Sequence, residues 1–114
     1  MNMNMVLETV QYRTNRMVRF SRYFFKQPIT WSAKNNFVLL VREGVKINNL
    51  LKYSLGISNS TRDSIENYFI QGEECVMAAS VEAHDEYCPG IETFEELRDE
   101  RLALMILIDN YLGN

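Results

Sequence analysis

The sequence predicts an all-α protein, a compact bundle of five or six helices forming a single domain over residues 1–114. Three observations predict it. The five glycines, at 44, 56, 72, 90 and 113, and the two prolines, at 28 and 89, fall where stretches of helical spacing end. Between them, apolar residues recur at steps of three and four, the period of one helix face. A hydrophobic fraction of 46% over 114 residues suffices for one core without disulfide support.

Residues 5–26 contain neither glycine nor proline. Val6, Val10, Met17, Phe20 and Phe24 form an apolar stripe, and Arg13, Arg16, Arg19, Arg22 and Lys26 recur at similar steps, so the segment reads as an amphipathic helix with one basic face. A β-hairpin turning at Thr14-Asn15 is the alternative, because Val, Thr, Tyr and Phe favour strands. Ser32 is placed to cap a second helix that carries Ala33, Phe37, Leu40 and Val41 and stops at Gly44. A short third helix, with Ile47, Leu50, Leu51 and Leu55, ends at Gly56. Ile57-Ser58-Asn59-Ser60 then turns into a helix bearing Ile65, Tyr68 and Phe69 that reaches Gly72, and Cys75, Val76, Ala79 and Val81 mark another. The last helix, 93–112, opens with the capping box Thr93-x-x-Glu96. Its early carboxylates, Glu95, Glu96, Asp99 and Glu100, complement the positive end of the helix dipole. Beyond Arg101 it is apolar on nearly every side through Ile108, which calls for wrapping by the rest of the domain or by a second subunit.

The charge is divided along the chain. Residues 1–62 carry a net +8 and residues 63–114 a net −11, behind a total of only −3. Such a division suits a nucleic-acid surface on the basic half and an acidic partner face on the other, or attraction between the two halves within the fold. The longest apolar run, Leu102 to Ile108, is far short of the ~20 residues of a membrane span, so no membrane contact is expected. Cys75 and Cys88 form no closely spaced pair and the N-terminus lacks the pattern of a signal peptide, which predicts free thiols and a cytoplasmic protein. Cys75, His84 and Cys88 offer three ligand types for zinc, but without a Cys-x-x-Cys pair no metal or other cofactor is expected. Nor is an enzyme expected. The chain has no Gly-rich phosphate loop, no Gly-x-Ser-x-Gly and no His-Glu-x-x-His.

The stretch from Gly44 to Asn67, about a fifth of the chain, centres on Leu55-Gly56-Ile57-Ser58-Asn59-Ser60-Thr61. It resembles the helix-turn-helix of phage-repressor-type and LuxR-type DNA-binding proteins. Gly56 would permit the tight turn, Leu55 and Ile57 would pin two helices together, and Ser58 or Ser60 would cap the second. Lys52 and Arg62 depart from the family, standing where it has a small residue and a buried aliphatic one. The resemblance implies a recognition helix presenting Asn59, Ser60 and Asn67 to the major groove. Lys46, Lys52 and Arg62, with Arg13, Arg16, Arg19 and Arg22 from the first segment, would then neutralise phosphates. The expected function is therefore a small regulator that binds duplex DNA through residues 46–70 and forms a homodimer through residues 93–112. The alternative is an acidic adaptor or inhibitor, of phage or plasmid type, that meets a basic protein partner and does not touch DNA.

Overall fold

The computed structural model describes residues 3–26, 28–53, 56–82 and 94–113. Among these residues it contains four α-helices and no strand: α1 (Met3–Phe25), α2 (Trp31–Lys52), α3 (Asn59–Glu82) and α4 (Phe94–Leu112). The chain is all-helical as the spacing predicts, but the helices are fewer and longer than the expected five or six. Residues 5–25 lie in α1, so the hairpin alternative is excluded. The Thr14 hydroxyl, at the expected hairpin turn, is satisfied within the helix by donating to the Val10 carbonyl at 2.8 Å, and the buried Ser21 hydroxyl donates to the Met17 carbonyl at 2.9 Å.

Gly44 and Gly72 do not end helices. Each lies inside one, at a point where a neighbouring chain comes too close for a side chain. A Cβ on Gly44 would meet the Tyr68 hydroxyl of α3 and a Val18 methyl of α1 inside 3.0 Å, so three helices converge there. A Cβ on Gly72 would meet the end of the Met17 side chain. Gly113, at φ 77°, does follow the last helix and takes the left-handed conformation that glycine tolerates. The cap of α2 is also displaced from its expected place. Thr30, two residues before Ser32, accepts the Ala33 amide at 3.2 Å. Ser58 caps α3 as expected, its hydroxyl accepting the Thr61 amide at 3.1 Å. Leu55, Gly90 and Thr93, and with Thr93 the capping box, lie outside the described residues.

The helices run alternately up and down, with α1 and α3 each touching the other three and α2 and α4 on opposite sides of that pair. Sequence-distant contacts fix the pairing. Phe24 of α1 stacks on Phe37 of α2 with ring centroids 5.1 Å apart, and further along Asn48 donates to Asn15 at 2.6 Å. Val6, Val10, Met17, Phe37, Leu51, Ile65, Tyr68, Phe69, Leu97 and Ile108 fill the core. Each large aliphatic or aromatic side chain sealed in this way contributes about 1.5–3 kcal/mol to folding. Leu102 and Ile106 remain exposed, so the apolar run of α4 is only partly wrapped by the described residues. Among the described residues, no helix is long and apolar enough to cross a membrane.

Candidate functional site

The basic residues of α1 do not share one face. Cations three residues apart, as at 13, 16, 19 and 22, fall ~60° short of a full turn at each step, so the row winds around the helix. Arg13 and Arg16 face α4, where each meets Glu100 at 3.0 Å, and the Glu100 side chain is only 11% exposed. Arg19 and Arg22 of α1, and Lys26 in the turn that follows it, are exposed.

Arg62 is likewise held within the fold. Its guanidinium grips Asp109 of α4 through two parallel hydrogen bonds, at 2.9 and 3.0 Å, and also reaches Glu66 at 2.9 Å and Asp63 at 3.2 Å. The bond to Asp109 raises the Arg62 pKa above its already high ordinary value, with Glu66 and Asp63 adding to the effect and burial opposing it. A third link closes the α3/α4 seam, where Arg101 donates to Glu73 at 2.6 Å and the Glu73 side chain is 4% exposed. The cations that face α4 are thus neutralised by carboxylates of the acidic half.

Around the far side of the molecule the opposite holds. Arg19 and Arg22 of α1, Lys26 directly after it, and Lys34, Arg42, Lys46 and Lys52 of α2 make no ion pair among the described residues. All but the half-buried Lys34 are exposed. Only two carboxylates, Glu8 and Glu43, are carried by these two helices. Glu43 turns toward α3, where it lines a groove of about 410 Å³ with Ser64, Asn67 and Tyr68. Burial first, and the Glu43 charge second, push the Tyr68 phenol above its ordinary pKa, and its hydroxyl finds no hydrogen-bond partner among the described residues.

Between α1 and α2 the cationic surface has an apolar floor. Phe25, Val38 and Val41 line a concavity of about 370 Å³ whose rim is Arg22, Lys26 and Arg42. Beside it the Lys34 ammonium lies 5.6 Å from the centre of the Trp31 ring and 5.8 Å from that of Phe25. Trp31 is 74% exposed. At the other end of α2, Lys52 lies 5.5 Å from the ring centre of Tyr53, which is 79% exposed. This surface combines unpaired positive charge with bare aromatic faces.

The residues expected to contact DNA are therefore divided among three places. Arg19, Arg22, Lys46 and Lys52 belong to the α1/α2 surface; Arg13, Arg16 and Arg62 are bound to carboxylates; Asn59, Ser60 and Asn67 are exposed on the first turns of α3, beside Asp63 and Glu66. Sequence reasoning passed over Phe25, Trp31, Lys34 and Arg42 as site residues. The signal for them was the mixed stripe Lys34, Val38, Val41, Arg42 and Val45, too polar for a core face and free of acids. Of the residues weighed for zinc, Cys75 is half-buried on α3, and His84 and Cys88 lie outside the described residues. No protein-family model, curated protein or solved structure matches this chain.

Proposed function

We propose that the chain is a small, non-catalytic helical module that binds nucleic acid through the joint face of α1 and α2. One observation carries this reading: seven Lys and Arg side chains, six on two adjacent helices and Lys26 directly after the first, lack ion-pair partners among the described residues, while those facing α4 are neutralised. Unpaired cations concentrated on one side of a protein of net charge −3 create a local positive field that attracts polyanions and orients them on encounter. In this reading phosphate contact comes from Arg19, Arg22, Lys26, Lys34, Arg42, Lys46 and Lys52, and the start of α3 contributes little, because Arg62 is engaged and Asp63 repels phosphate. The exposed Leu102 and Ile106 of α4, on the side away from this face, provide the surface for a homodimer.

The test is binding to labelled oligonucleotides across a salt series. If about five phosphates are neutralised, affinity falls by roughly two orders of magnitude or more between ~50 and ~200 mM monovalent salt. Arg22→Glu with Arg42→Glu abolishes binding, and Arg13→Gln leaves it nearly intact. Binding that ignores salt, or that survives the double charge reversal, refutes the proposal.

A further inference from the structure

Resting on the reading that this face binds nucleic acid, we infer that its ligand is a single strand, with an unpaired base stacked at the Trp31/Phe25 end of the α1/α2 surface and the flanking phosphates on Arg22, Lys26, Lys34 and Arg42. Phosphate charge alone does not separate duplex from single strand, since both carry it. Base faces do: in a duplex they are hidden in the stack, and in a single strand each offers an apolar π surface to whatever aromatic or aliphatic group is presented.

The α1/α2 surface presents such groups among its cations. Trp31 leaves three quarters of its surface in water, an unusual exposure for the largest apolar side chain unless something covers it. The concavity beside it is lined by the apolar Phe25, Val38 and Val41 together with Arg22, Lys26 and Arg42, and its 370 Å³ admits a planar base. Arg22, Lys26 and Arg42 stand around that floor at its rim, where the phosphates on either side of a seated base would lie. Lys34, within 6 Å of both the Trp31 and Phe25 rings, joins the concavity to the exposed indole. Stacking on aromatic and aliphatic faces is tolerant of sequence, because every base has a π face. The Lys52/Tyr53 pair repeats the motif at the other end of α2, about 33 Å away along the helix, so one strand running beside α2 meets both. An acidic polypeptide matches the charge but offers no series of flat faces for both aromatic ends.

Trp31 is the only tryptophan in the chain, which makes its emission a reporter of this site. The full-length protein is titrated with an oligothymidylate of about 12 nucleotides, which spans ~40 Å even at duplex spacing, with a duplex of equal length, and with poly-glutamate of matched charge. The single strand is expected to quench Trp31 emission strongly and to bind at least tenfold more tightly than the other two. Trp31→Ala, at an exposed position where folding is unaffected, lowers single-strand affinity about 5- to 100-fold and leaves duplex affinity within about twofold, and Trp31→Tyr restores most of the loss. Duplex binding equal to or tighter than single-strand binding, or saturation by the single strand with unchanged Trp31 emission, overturns the stacking inference while leaving nucleic-acid binding in place. Poly-glutamate binding as tightly as the single strand assigns the surface to acidic protein segments and overturns it as well. If no nucleic acid binds at low salt, the proposed function fails with it.

Discussion

Replacing Gly44 with alanine opposes two effects whose signs differ. In an open helix interior the change stabilises by about 1 kcal/mol, because alanine gives up less backbone freedom on folding. In this fold the added methyl meets Val18 and Tyr68 inside 3.0 Å. Val18 is β-branched and 4% exposed, and Tyr68 is 1% exposed, so neither side chain can swing aside. Forcing a methyl into a packed interior costs about 1–3 kcal/mol, and with no free rotor to absorb it the upper half of that range applies. The net expectation is a loss of about 1–2 kcal/mol. Gly72→Ala is the control, since the atoms it meets are the thioether end of Met17, a side chain with three rotatable bonds. That variant stays within about 0.5 kcal/mol of the parent or gains stability. Urea unfolding followed by far-UV circular dichroism reads both. A Gly44→Ala protein as stable as the Gly72→Ala protein, or more stable than the parent, refutes the convergence of α1, α2 and α3 at Gly44.

Removing the Arg101 guanidinium as Arg101→Leu strands the Glu73 carboxylate in the α3/α4 seam and lowers stability by about 3–5 kcal/mol, whereas the double change with Glu73→Met recovers most of it, as unfolding titrations will show. Tyr68→Phe deletes a buried hydroxyl that has no partner and raises stability by about 1 kcal/mol at neutral pH. Because the folded-state pKa of Tyr68 is raised, the unfolded chain releases this proton first, so stability falls as pH climbs past the ordinary phenol value of about 10. Tyr68→Phe shows less of this alkaline loss in parallel melts. Burial, with the Glu74 charge second, pushes the Cys75 thiol up. In a Cys88→Ser protein Cys75 therefore reacts with a disulfide reagent at pH 8 more slowly than free cysteine, and a rate equal to that of free cysteine contradicts its half-buried placement.

Much of this fold was legible in the sequence, and its misreadings have definite causes. The apolar spacing of α1 was read correctly, and Ser58 was a correct cap. Gly44 and Gly72 read as helix ends because glycine is so often found there, yet the apolar pattern runs straight through both. Phe37, Leu40, Gly44, Ile47 and Leu51 follow alternating steps of three and four, as do Ile65, Phe69, Gly72 and Val76. A glycine that falls in register on the buried stripe marks a close approach between helices; only one out of register or at a stripe's end marks a stop. The site was harder to read, because which cation remains free depends on carboxylates far away in the chain. Nothing near Arg62 reveals that Asp109 lies across from it, and nothing near Arg13 reveals Glu100. The division of charge between the halves was therefore half an internal matter and half a surface, and only the packing of α4 against α1 and α3 separates the two.

The most direct test of the account is to follow the backbone amide resonances of the labelled protein as an oligonucleotide is added at low salt. Shifts gathered along residues 19–26, at the end of α1, and 31–53, along α2, with the first turns of α3 undisturbed, are what an α1/α2 binding face predicts. Shifts confined to residues 59–67, or a spectrum that does not change, would contradict it.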